Sequence, residues 1–86
     1  MNPTSPAAVV AFAAELTQLR LQAGLSQDEL AEQLDIQAGD VELSEAGRRE
    51  VDVVELFRWC QACGNSLDGF VERLERRLAV ATSDRH

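Results

Sequence analysis

The chain contains no lysine; all eight of its basic residues are arginine. With its many alanines, this fits a GC-rich bacterial coding sequence. It has no run of about 18 apolar residues, which excludes a membrane-spanning helix. No basic stretch precedes the apolar part of the N-terminus, so that end does not read as a secretory signal, and a cytoplasmic protein is expected. The one histidine is the last residue, His86, so the chain offers no histidine base beside a nucleophile. Glycine-rich phosphate loops are absent as well. No enzymatic activity and no cofactor are expected.

Two cysteines remain, Cys60 and Cys63, in a C-x-x-C spacing. Structural zinc takes four ligands, and no histidine or further cysteine stands nearby to complete the set, so no metal is expected. A redox pair usually opens a helix after a strand, whereas this one closes a helix. Three residues apart on a helix, the two side chains point the same way, which makes them core positions. Trp59 reads as core for the same reason. Nothing in the chain alternates as a strand does, and no internal repeat is present.

What is there is a series of amphipathic helices with clear start signals. Eighty-six residues make one small domain. Residues 1–6 read as a disordered tail, 7–81 as a single domain and 82–86 as a frayed end. Ser5-Pro6 supplies a cap and a proline at the first helical position, so helix 1 is expected from about Pro6 to Ala23, with Phe12, Leu16 and Leu19 in the core. Ser26 and Glu29 form a capping box for a short second helix carrying Leu30, Ala31 and Leu34 on one face. After a break at Asp35-Ile36-Gln37, a third short helix runs from Ala38 to Ala46, closed by Gly47. Asp52 caps a fourth, Val53 to Cys63, expected to bury Val53, Leu56, Trp59, Cys60 and Cys63. Ser66 caps a fifth, to about Val80, with Leu67, Phe70, Val71, Leu74 and Leu78 as its apolar stripe. Glu72, Arg73, Glu75, Arg76 and Arg77 form its wet side.

Two short helices joined by a tight turn, over residues 26–46, make a helix-turn-helix. The ordered series Leu25-Ser26-Gln27, Glu29-Leu30-Ala31, Leu34, Ile36, Val41, Glu45, Gly47, Arg49, Asp52 to Leu56 and Ser66-Leu67 resembles the Cro and phage-repressor type of domain, the XRE family. The resemblance covers roughly residues 12 to 75. It implies an all-α, five-helix bundle of the lambda-repressor-like type. It also implies a transcriptional regulator that binds double-stranded DNA as a dimer. In such domains the second helix of the motif lies in the major groove. The resemblance puts Gln37, Ala38, Gly39, Asp40, Glu42 and Leu43 at reading positions, Gln27 on the DNA backbone, and pairs Glu45 with Arg49. Arg48, just past the helix, is a phosphate candidate. Phe70, Val71, Leu74 and Leu78 are candidates for a homodimer contact or for a protein partner.

Charge argues against the resemblance. The chain carries −7, and between Ser26 and Glu55 ten acids face only Arg48 and Arg49, a net of −8. The rest of the chain is net +1. Nucleic-acid binding ordinarily rests on a basic footprint. Asp40 and Glu42 can accept from cytosine N4 but repel phosphate. A second expectation therefore stays open beside the first: a helix-turn-helix scaffold without base readout, whose acidic face binds and antagonises a protein with a basic surface.

Overall fold

A computed structural model describes residues 5–83, with side chains to residue 80. It has five helices in chain order: α1 Pro6–Gln22, α2 Gln27–Leu34, α3 Ala38–Glu45, α4 Val53–Ala62 and α5 Leu67–Ser83. None is long and apolar enough to cross a membrane. Helix ends fall within about a residue of the sequence expectation, except that α5 continues past Val80 to Ser83. Ser5 and Pro6, assigned above to the tail, are the cap and first residue of α1. The rest of the expected tail, and residues 84–86 of the expected frayed end, lie outside the described residues.

The helices start where side chains satisfy orphan backbone N–H groups. Ser5 Oγ accepts from the Ala8 N–H at 3.2 Å. At α2 the capping box is complete: the Glu29 N–H donates to Ser26 Oγ at 3.0 Å and the Ser26 N–H to Glu29 Oε1 at 2.8 Å. Asp52 accepts from the Glu55 N–H at 2.8 Å and Ser66 from the Gly69 N–H at 3.0 Å. The far end of α2 is held from another helix, since Arg58 of α4 donates to the Leu34 carbonyl at 3.1 Å.

Two left-handed residues shape the path around α3. Asp35, at φ 58°, ends α2 and makes the tight turn of the motif; aspartate tolerates this backbone better than most residues. Gly47, at φ 73°, turns the chain back after α3. A Cβ added there would lie 2.9 Å from Cγ1 of Val9, so the loop approaches α1 as closely as its backbone allows.

The core gathers one face of every helix. Leu16 and Leu19, Leu30, Ala31 and Leu34, Val41, then Leu56, Trp59, Cys60, Cys63 and Phe70 form one buried cluster. Both thiols sit inside it and are free, and burial pushes each upward, Cys63 to about 11, so they act as small apolar side chains. Phe12 meets Phe70 edge to face, with ring centroids 5.5 Å apart. Two expectations about the core do not hold. Phe70 is fully buried within the monomer, so it offers nothing to a second copy. Val53, expected in the core, is 69% exposed because it opens α4 a full turn before Leu56 enters the cluster.

A second link joins α1 to α5. Glu15 is 2% exposed, and Arg73 and Arg77 donate to its two oxygens at 2.7 Å each. Both arginines were expected on the wet side of α5; instead they clamp a buried carboxylate. Burial alone raises the Glu15 pKa, but the hydrogen bonds and charges of Arg77 and Arg73 outweigh it and hold the group below its ordinary 4.5. The unfolded chain thus binds this proton more readily than the folded one. The clamp's contribution is complete above about pH 4.5 and fades as pH falls through the lowered value.

Two outcomes are expected on denaturant titration. Gly47→Ala loses about 2 kcal/mol, from the left-handed backbone and the Val9 contact together, and adding Val9→Ala recovers only the steric part. Glu15→Gln loses about 3 kcal/mol at pH 7, because two arginines lose their counter-charge. Its stability also falls less steeply than that of the wild type below pH 4.5, which repeating the titration across the acid range measures.

Candidate nucleic-acid interface

The surface offered by the helix-turn-helix is set by α3, whose C-terminal end is held by two arginines. Arg20 of α1 meets Glu45 in a two-point pair, Nε to Oε2 at 2.7 Å and Nη2 to Oε1 at 3.0 Å. The same guanidinium donates to the Leu25 carbonyl at 3.0 Å, and Gln27 Nε2 donates to Glu45 Oε1 at 3.1 Å. One carboxylate therefore ties the end of α1, the start of α2 and the end of α3 together. The hydrogen bond to Glu45 raises the Arg20 pKa against the opposing effect of burial, so the guanidinium stays charged.

Arg49 holds the exit from α3. It donates to Glu55 at 2.6 and 3.1 Å and to Ser44 Oγ at 3.1 Å, with Asp40 Oδ1 3.9 Å from its Nε. The hydrogen bond to Glu55 raises its pKa. These contacts replace the expected Glu45–Arg49 pair. Four residues apart, the two would meet on a continuous helix, but the left-handed turn at Gly47 intervenes and sends Arg49 toward α4. The partners that the sequence reading missed were Arg20 and Glu55. A signal for the first was present: Arg20 is the lone cation along the apolar side of α1.

With these pairs made, the outward stripe of α3 is Gly39, Glu42, Leu43 and Ala46, all exposed and spaced three or four apart. Leu43 is 42% exposed. Gln37 is exposed at the head of the helix and Arg48 just beyond its end. Ala38 and Asp40 are half-buried. Asp40 is also committed, since its Oδ2 accepts the Gln37 N–H at 3.2 Å. Of the expected reading positions, the structure thus leaves Gln37, Glu42 and Leu43 exposed and turns Asp40 back on its own helix. Gln27, expected on the DNA backbone, is half-buried with one side-chain N–H already given to Glu45.

The other arginines are engaged too. Arg58, Arg73 and Arg77 have the partners described above, and Arg76 pairs with Glu72. Among the described residues, Arg48 is the one arginine whose guanidinium has neither a hydrogen bond nor an ion pair. Between Ser26 and Glu55, Asp28, Glu32, Asp35, Glu42 and Glu50 are exposed with neither an ion pair nor a side-chain hydrogen bond. Among the described residues no group of three or more His, Cys, Asp and Glu side chains could hold a metal. Of the expected dimer residues other than Phe70, Val71 is 43% exposed, while Leu74 and Leu78 are half-buried and line a groove of about 860 Å³ with Val9, Phe12 and Arg48.

Comparison with known proteins bears on this geometry. A family model described as a helix-turn-helix domain matches residues 11–72. Among solved structures, the clp gene regulator ClgR from Corynebacterium glutamicum is similar at 28% identity, with a TM-score of 0.81, over 88% of this chain and 81% of that one. The restriction-modification controller protein C.Esp1396I superposes with a TM-score of 0.77 at 19% identity, over 87% of this chain and 97% of that one, a likeness of fold alone. No curated protein sequence matches the chain.

The Arg20–Glu45 pair is open to a double-mutant cycle. Arg20→Met and Glu45→Leu are each expected to lose about 3 kcal/mol, because each leaves an uncompensated charge in a largely buried place. The double variant should lose at least about 2 kcal/mol less than the sum, as read by urea denaturation of the four proteins.

Proposed function

The chain belongs to the helix-turn-helix domain family, and from that premise we propose that it is a DNA-binding transcriptional regulator acting as a dimer. The observation that carries this reading is the exposed guanidinium of Arg48 just past the end of α3, the one arginine among the described residues with neither a hydrogen bond nor an ion pair. Arg48 takes a phosphate. Gln27 supports it through its second side-chain N–H, and the backbone N–H groups at the start of α2 attract the same anion. Gln37, Ala38, Glu42 and Leu43 face the base edges. The likeness to ClgR, a regulator of clp genes, supports the regulatory role. The dimer contact falls on the apolar surface left outside the core: Val71, Leu74 and Leu78 of α5, together with Val53, Val54 and Phe57 of α4, each of which is 46% exposed or more.

A second reading rests on a specific observation as well, the five unpaired acids against one free arginine between Ser26 and Glu55. In it the acidic face engages the basic surface of another protein, such as a nucleic-acid-binding one, and antagonises it. Association by such complementary fields is fast and weakened by salt.

One titration separates the two. Binding to a labelled random-sequence duplex is followed by fluorescence anisotropy from about 30 to about 200 mM salt. A dimer with one free arginine per chain should show a log–log salt slope of only about −2, with two chains per duplex. Arg48→Ala should weaken binding on every sequence and flatten the slope toward zero. If Arg48→Ala changes neither affinity nor slope, the reading fails. No binding at the lowest salt favours the protein-directed reading instead.

A further inference from the structure

The outward stripe of α3 carries no hydrogen-bond donor. Gly39 has no side chain, Glu42 offers only acceptor oxygens, and Leu43 and Ala46 offer only carbon. Donors stand at the two ends alone, in Gln37 and Arg48. Asp40 is turned to the Gln37 N–H and toward Arg49, and Glu45 to Arg20, so Glu42 is the one carboxylate left on the stripe. In the major groove guanine shows two acceptors, O6 and N7, and adenine one acceptor beside its amino group. An ionised carboxylate is repelled by the first and only half matched by the second. Cytosine shows the N4 amino donor, and thymine shows the C5 methyl, which Leu43 and Ala46 can cover.

Building on the DNA-binding reading, we infer that α3 selects a pyrimidine tract on one strand. Cytosine lies beneath Glu42, thymines lie beneath Leu43 and Ala46, and guanine is admitted only at the head of the helix, under Gln37. The open space at Gly39, where an added Cβ meets nothing within 4 Å, lets the helix backbone sit close to the groove floor at that point. Specificity on this face comes from rejecting purines as much as from contacting pyrimidines. That suits a protein with few phosphate contacts, since rejection needs no added affinity.

The test is selection from a randomised duplex library at about 30 mM salt, followed by anisotropy on the winning sequence. The bound pool should be enriched in C and T over at least three adjacent positions of one strand. Replacing thymine by uracil there, which removes only the methyl, should weaken binding about fourfold per contacted base. Leu43→Ala should remove most of the thymine–uracil difference at the base beneath residue 43 and leave that beneath Ala46. Glu42→Gln should move the preference at one position from C to A, because a glutamine amide both donates and accepts. Glu42 and Leu43 are exposed, so both variants should unfold at the same denaturant midpoint as the wild type. A bound pool rich in guanine at the centre, or one with no base bias, overturns the inference and leaves DNA binding standing. A library from which nothing is retained overturns both.

Discussion

The pairing of Arg20 with Glu45 is the constraint on which the rest of the recognition surface depends. The two residues lie 25 apart in the chain and meet because α1 packs across the end of α3. Glu45 has two oxygens and takes donors from Arg20 and Gln27, while Arg20 also holds the Leu25 carbonyl of the α1–α2 connection. Three segments thereby share one ion pair shielded from water, where a lost partner costs far more than at the surface. Hydrophobic contacts at Leu30, Leu34 and Val41 close the motif, but they are non-directional. The fork of the guanidinium is directional, and it fixes the rotation of α3 and so which of its residues face outward.

That rotation decides the electrostatics. Counted along the chain, the motif looks simply acidic, with two arginines to temper it. In three dimensions Arg49 turns inward to Glu55 and Ser44, and Arg20, from outside the motif, neutralises Glu45. What reaches solvent is a single arginine among five unpaired acids. On the reading proposed above, such a surface binds phosphate weakly and discriminates by exclusion. The family membership and the odd charge are compatible once affinity and selectivity are treated as separate properties.

Much of the fold was legible because its signals are local. Ser26 and Glu29 lie three residues apart and cap the same turn; Gly47 marks a helix end by its own backbone freedom; Leu30, Ala31 and Leu34 announce one face by spacing. What could not be read was set by distance in the chain or by a break in helical geometry. Glu45 and Arg49 have the spacing of a helical pair, but the turn at Gly47 makes that spacing meaningless. Phe70 shares its stripe with Val71, Leu74 and Leu78, and only the position of Phe12 decides that Phe70 alone is fully buried. Val53 has the spacing of a core residue relative to Leu56 but lies beyond the end of the layer it would join. Arg73 and Arg77 look like solvated charges until Glu15, some sixty residues earlier, is seen to need them.

That last separation governs how the protein can be made. Glu15 lies on α1, and its two counter-charges lie on α5, which leaves the ribosome after the other four helices of the domain. Until α5 emerges, a carboxylate destined for the interior has no partner, and Phe12 beside it has no ring to meet. The early helices can form and associate loosely, but the sheath over α1 stays open to water until about residue 77 is free of the exit tunnel. The domain is thus held from committing to its final packing until α5 has emerged, by one acid that will not stay buried alone.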